Sequence, residues 1–274
     1  MKEEFKDGRP REKENPVVIV SGASRGLGAA AAKIASRAGA RVVLCARSEQ
    51  YLKSLATDIF SKEGQALAIP ADVSIPDDCQ RVVSETVSLF GRIDALINNA
   101  GVLEPVAPIS DWDPDGWKYN FTVNLLGAVM LVQAALPFLR ERSGRVINVS
   151  SGAAINPMPG WGAYCSSKAA LNQFTRVLAA EEEKITTVAL RPGVIDTEMQ
   201  ATIRILGQAG MHQGDYSHFV NLHTEGKLLP PEVPARAAVT LSLYAPPEMS
   251  GEFVSWDDKA VQDLIFQHFT KSSH

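Results

Sequence analysis

The chain has 274 residues, 45% hydrophobic and 21% charged, enough for one sizeable core and ordinary for a globular protein. A formal net charge of −4 offers no basic face to a phosphate backbone, so nucleic acid is not an expected partner. The three cysteines, Cys45, Cys79 and Cys165, are far apart and form no C-x-x-C, which argues against a disulfide framework or a zinc site and fits a reducing cytoplasm.

Residues 1–15 are charged, lack an apolar run and read as a solvated tail, not a signal peptide. Short β-branched runs then alternate with longer amphipathic stretches. VVIVS (17–21), RVVLC (41–45), ALAIP (66–70), DALIN (94–98), RVINVS (145–150), TTVALRP (186–192) and GEFVSW (251–256) read as strands. Most are nearly continuous apolar runs, as strands covered on both faces should be. Residues 28–38, 48–62, 77–90, 114–141 and 161–183 carry helical spacing. The apolar run from Leu125 is too short for a membrane span and reads as a buried helix. This alternation predicts a single α/β domain over 16–260: a three-layer, doubly wound, mostly parallel sheet of about seven strands with helices on both faces. Residues 261–274 read as a tail. In such sheets ligands bind beyond the carboxyl ends of the strands, where strand order reverses.

The first such end carries SGASRGLG, residues 21–28, which fits three motifs. Gly22-Ala23-Ser24-Arg25-Gly26 matches a hydrolase nucleophile elbow, but only a charged tail precedes its strand and all five histidines lie in the last quarter. A phosphate loop of the triphosphatase type needs Gly-Lys-Ser/Thr, whereas Gly28 is followed by Ala29-Ala30. The dinucleotide fingerprint fits its context: a strand, a glycine-rich turn, then a helix of small residues. Free N–H groups and the positive end of the helix dipole then suit a pyrophosphate.

Further along, Asn98-Asn99-Ala100-Gly101 follows the fourth strand, Ser151 the fifth, and Tyr164-x-x-x-Lys168 stands on the next helix. Tyr164 and Lys168, four apart, share a helix face. Asn124 sits inside an apolar helix, where an unbonded asparagine is costly. With Gly22-x-x-x-Gly26-x-Gly28, this order and spacing resembles the short-chain dehydrogenase/reductase family over about residues 16–256. The resemblance implies the following roles. Ser151 polarises a substrate carbonyl, Tyr164 donates a proton to the developing alkoxide, Lys168 lowers the phenol's pKa and binds the nicotinamide ribose, and Asn124 holds a proton-relaying water. Gly22, Ser24, Arg25, Gly26, Leu27 and Gly28 would cradle the cofactor, Asp72 and Val73 flank its adenine, and Asn99, Ala100 and Gly101 line it. Pro192, Gly193, Val194, Ile195 and Thr197 would hold its carboxamide and diphosphate. The second strand ends in Cys45-Ala46-Arg47-Ser48 with no carboxylate, and Arg25 and Arg47 suit a 2′-phosphate, which implies NADP(H) over NAD(H).

No metal is expected. Asp111-Trp112-Asp113-Pro114-Asp115-Gly116 mimics the start of a calcium loop, but Thr122 stands where glutamate is needed, and Asp113-Pro114 reads as a helix cap. Residues from about 196 to 227 form the expected substrate lid, in which Met199, Ile203, Ile205, Leu206, Met211, Tyr216 and Phe219, with Trp161 before Tyr164, suggest a partly apolar carbonyl or alcohol substrate. The short link EEEKITT and the ending GEFVSWDD are similar to the sepiapterin reductase and benzil reductase branch. A carbonyl reductase acting on a ketone, diketone or aldehyde is expected, as a cytoplasmic dimer formed through the 114–141 and 161–183 helices. A catalytically idle dinucleotide-sensing regulator on the same fold is the alternative.

Overall fold

The computed structural model describes residues 15–270. Most of the expected 1–15 tail and the last residues of the 261–274 tail therefore lie outside the described residues. Seven strands pair, all in parallel, in the order β3-β2-β1-β4-β5-β6-β7. They are β1 (Val17–Ser21), β2 (Arg41–Ala46), β3 (Gln65–Pro70), β4 (Ala95–Asn98), β5 (Arg145–Val149), β6 (Thr186–Arg191) and β7 (Phe253–Ser255). Strand order reverses between β1 and β4, so a crevice opens where Ser21 and Asn98 end.

The central strands read as unbroken apolar runs because both faces are covered. On one side the sheet packs on α1 (Gly26–Arg37), α2 (Glu49–Phe60), α9 (Glu232–Tyr244) and α10 (Lys259–Ile265), with Val18, Val20, Leu44 and Leu190 in the seam. On the other it packs on α3 (Pro76–Phe90), α5 (Gly127–Arg142) and α6 (Gly162–Glu181), around Ile19, Val43, Leu96 and Val146.

Helix α9 was not among the expected elements, and two further stretches depart from expectation. Residues 114–142 form α4 (Pro114–Phe121), one wider π turn (Thr122–Leu126) and α5 without a break. This stretch of 29 residues is, by length and composition, long and apolar enough to cross a bilayer, unlike the shorter apolar run read from the sequence. Here its apolar face is spent on α3, α6 and the sheet. Second, the boundary expected at 260 falls inside α10. Val261 is fully buried, and Leu264, Ile265 and Phe269 pack behind it on α9 and the sheet. Asp113 caps α4 by accepting from the N–H groups of Asp115 and Gly116, with Pro114 at the first helical position.

Candidate active site

The glycine turn leaves β1 at Ser21 and bends through Gly22 and Gly26, both in the left-handed region (φ +64° and +52°). A side chain on Gly22 would collide with the Asn99 amide, 2.8 Å from its Cβ. One on Gly28 would strike the Gly22 carbonyl at 2.3 Å. Gly28 is thus behind the cleft, letting α1 approach the turn, and it does not line the opening as the sequence reading implied. Helix α1 starts without a side-chain cap or an acidic residue in its first turn, so its leading N–H groups remain available to an anion.

The turn is held across the switch point by groups that sequence reading missed or assigned elsewhere. Ser21 Oγ accepts from the N–H groups of Asn99 (3.0 Å) and Ala100 (3.1 Å). The Asn99 side-chain amide donates to the carbonyls of Ser21 (3.0 Å) and Gly22 (3.2 Å). Asn99 therefore braces the glycine turn as well as lining the cleft. Asp72 closes a local turn, accepting from Ser74 N (2.9 Å) and Ser74 Oγ (2.7 Å).

One cleft of about 1320 Å³ runs from Arg25, Arg47 and Asp72 to Ser151 and Tyr164. Ser24, Leu27, Val73, Ala100, Gly101, Lys168 and the loop from Pro192 to Thr197 all line it. That loop turns at Gly193 (φ +80°) and brings Thr197 against Gly26. Arg47 donates to the Tyr119 hydroxyl at 3.0 Å, while Arg25 pairs with Glu198, the first residue of α7 (Glu198–Gly210). Neither contact was legible from the sequence, since each joins side chains remote along the chain.

Ser151, in the turn after β5, accepts from Ala153 N at 3.1 Å and lines the cleft beside Tyr164. Lys168 is buried one helical turn on, donates to the Val149 carbonyl at 2.8 Å and lies 5.7 Å from the Tyr164 ring centre. Burial pushes the Tyr164 phenol up to about 12, opposed in part by the Ser151 hydroxyl. Burial also brings Lys168 down to about 8. The sequence reading had the lysine lowering the phenol's pKa. In the chain by itself, desolvation is the largest influence and holds the phenol protonated.

Asn124 does not line the cleft. It stands in the π turn behind Gly101 and Lys168, with its side chain fully occupied. Its Oδ1 accepts from Val102 N (2.8 Å), and its Nδ2 donates to Val102 O (2.8 Å), Asn120 Oδ1 (2.9 Å) and Ser167 Oγ (3.2 Å). Asn120, fully buried, donates to the carbonyls of Val102, Leu103 and Glu104. Four residues before Asn124, it shares that face, a periodicity that could have found it.

The expected lid consists of α7 and α8 (Gln213–Thr224). Ile203 and Phe219 join Leu103, Ala153, Trp161 and Tyr164 in an apolar cluster, with Met199 and Met211 packed on it. Phe219 stacks on Trp161 at 5.1 Å, and Trp161 meets Tyr164 edge-on at 5.8 Å. Ile205, two residues on from Ile203 and off its helix face, is 76% exposed; Leu206 is 39% exposed, and neither lines the cleft. They contribute nothing to the substrate wall.

A doubly wound parallel sheet with a glycine turn at its switch point, and a buried Tyr-Lys pair at the far end of one cleft, defines a Rossmann-type oxidoreductase. The chain belongs to the short chain dehydrogenase family, whose model matches residues 16–205. It is 34% identical over 255 residues to a benzil reductase ((S)-benzoin forming) of Saccharomyces cerevisiae, covering 89% of this chain and 96% of that one. A second short-chain dehydrogenase/reductase of that yeast, solved as a crystal structure, is 35% identical with a TM-score of 0.88, over 91% of this chain and 99% of its own. The L-sorbose reductase of Gluconobacter frateurii, solved with NADPH and L-sorbose, is 27% identical with a TM-score of 0.78, over 88% of this chain and 95% of its own.

Proposed function

We propose that the protein is an NADPH-dependent carbonyl reductase in which Tyr164 is the proton donor. The observation that carries this reading is the buried Tyr164, beside Ser151 and backed by Lys168, at the far end of the cleft that begins at the glycine turn. The residues present fit a dinucleotide: the glycines leave a cradle that a Cβ would fill, and the start of α1 offers uncapped N–H groups. Gly22, Ser24, Gly26 and Leu27 would hold the phosphates, Asp72 and Val73 the adenine, and the Pro192–Thr197 loop the nicotinamide end. When bound, the reduced cofactor supplies the hydride.

The remaining chemistry belongs to the chain. Ser151 donates its hydroxyl hydrogen to the substrate oxygen and so polarises the carbonyl. Tyr164, kept protonated by burial, gives its proton to that oxygen as it becomes an alkoxide. Lys168, cationic at neutral pH, stabilises the phenolate left behind. Asn124 and Asn120 act as positioning residues, fixing the 102–104 backbone behind the site. The Trp161–Phe219 wall suits an aryl ketone or diketone, in keeping with the benzil reductase named among the relatives.

For the cofactor, Arg25 and Arg47 at the adenine end and the absence of a carboxylate after β2 favour the 2′-phosphate. Oxidation of NADPH and NADH in the presence of benzil tests both halves of the proposal. NADPH is expected to give the higher kcat/KM, and Arg47→Ala to narrow the gap. A preference for NADH would overturn the cofactor reading, and no turnover with either would overturn the reductase.

A further inference from the structure

We infer that Arg191 is a substrate-selecting residue that takes a second oxygen, on the atom next to the reacting carbonyl, and takes it best as a carboxylate. This deepens the carbonyl-reductase reading and rests on it. Arg191 ends β6 and is in register with Ser255 at the end of β7, so the two side chains share a face. Arg191 Nε donates to Ser255 Oγ at 3.1 Å, and Ser255 in turn donates to the Asp257 carboxylate. The backbone is pinned too, since Trp256 N donates to the Arg191 carbonyl at 3.0 Å. The guanidinium is thereby oriented through Nε alone. Its two terminal nitrogens have no protein partner among the described residues, although the side chain is half-buried and lines the cleft.

Position in the sheet separates this cation from Arg25 and Arg47, while the remaining one, Lys168, is buried on the Val149 carbonyl. Arg47 directly follows β2, and β1, β4 and β5 lie between that strand and β6, so four strand spacings put them roughly 19 Å apart. Arg191 is instead next to the turn after β5 that holds Ser151. A Cβ on Gly152, the residue after Ser151, would lie 3.5 Å from Arg191 Cδ. A partly desolvated guanidinium with unused donors, beside the group that polarises the carbonyl, is costly unless an acceptor meets it. The substrate supplies that acceptor when an oxygen-bearing carbon adjoins the ketone, as in a 2-oxo acid or a 1,2-diketone. The reduction is balanced as before: hydride from the reduced nicotinamide to the ketone carbon, proton from Tyr164 to its oxygen, and the second oxygen unchanged.

Three probes separate the possibilities: benzoylformate (a 2-oxo acid), benzil (a 1,2-diketone) and deoxybenzoin (the benzil skeleton with one carbonyl). Wild type is expected to rank them in that order by kcat/KM with NADPH. In Arg191→Met the benzoylformate-to-deoxybenzoin ratio should fall about tenfold to a hundredfold, the range of a charge-assisted hydrogen bond, and Arg191→Lys should restore part of it. An equal fall for all three probes would make Arg191 merely structural and overturn the inference. So would a matching rise in the NADPH Kd, which would assign the guanidinium to the cofactor. Calorimetric titration of benzoylformate into the NADP⁺-loaded protein gives a readout independent of turnover. If no probe is reduced but Arg191→Met abolishes benzoylformate binding, the reductase reading fails while the Arg191 assignment stands. If wild type does not bind benzoylformate, the assignment fails.

Discussion

At the scale of the residue, the pair Tyr164 and Lys168 determines what the site can do. Both shifts come from burial and favour the neutral forms, yet they leave the phenol protonated and the lysine cationic at neutral pH. That combination suits proton donation, hence reduction. Tyr164→Phe removes the hydroxyl and nothing else from a packed ring, so carbonyl reduction should drop by about 10²-fold or more, the usual worth of a positioned acid, while NADPH binding persists. Substantial turnover in that variant would sink the assignment. The pH dependence follows from Lys168. Below about 8 it carries its charge and stabilises the phenolate formed as Tyr164 gives up its proton; above that it is neutral and the support is lost. The kcat/KM for reduction should therefore be level from pH 6 to roughly 7.5 and fall above about 8, with the Tyr164 ionisation further away at about 12. Lys168→Arg should push the fall to higher pH, and a flat wild-type profile to pH 10 would contradict this account.

Among the elements, those the sequence revealed are the ones whose signal is local. VVIVS and RVVLC are legible as strands because an unbroken apolar run needs cover on both faces, and they form β1 and β2 almost to the residue. The Tyr164–Lys168 spacing is equally local, a single helical turn. The π turn at Thr122–Leu126 was not legible, since TVNLL continues the apolar helix on either side. Helix α10 escaped for its shortness: the apolar positions 261, 264 and 265 are there, but seven residues set among charged ones are too few for periodicity to speak. Contacts between remote elements left no trace, and the stitching of β1 to β4 by Ser21 and Asn99 is one. Asn99→Ala would leave the Ser21 and Gly22 carbonyls short of a donor, at about 1–3 kcal/mol, and loosen the turn. A lower Tm together with a weaker NADPH Kd is the expected result; an unchanged Kd would mean that the turn keeps its shape unaided. The Arg25–Glu198 pair likewise joins the glycine turn to the lid. If Arg25 serves the 2′-phosphate, Glu198 competes for it. Glu198→Gln should then tighten NADPH binding by up to about fivefold, the worth of an exposed ion pair, and leave NADH alone. Equal shifts for both cofactors would remove Arg25 from phosphate recognition.

For the whole molecule, some of the apolar residues left outside the core stand on neighbouring elements. Tyr119 on α4, Leu126 in the π turn and Val177 on α6 are each more than 40% exposed, on elements that pack against one another. Ile109 and Trp112, just before α4, are exposed too, and Ile109 lies with Trp117 near Gly162 at the start of α6. Exposed apolar residues of this kind suit an association surface, and we propose that a two-fold dimer covers them with one self-complementary contact. The expected particle is a dimer of the 29.6 kDa chain, measured by light scattering after gel filtration. The double variant Leu126→Glu, Val177→Asp puts charge at its centre and should elute as a monomer. Ser151, Tyr164 and Lys168 all lie in the cleft of one chain, so the monomer, where it folds, should retain turnover per subunit. A wild-type protein that is monomeric at micromolar concentration would refute the dimer. A double variant that dissociates and also loses cofactor binding would show instead that the apolar face supports the site, through α6 and the turn that holds Asn124.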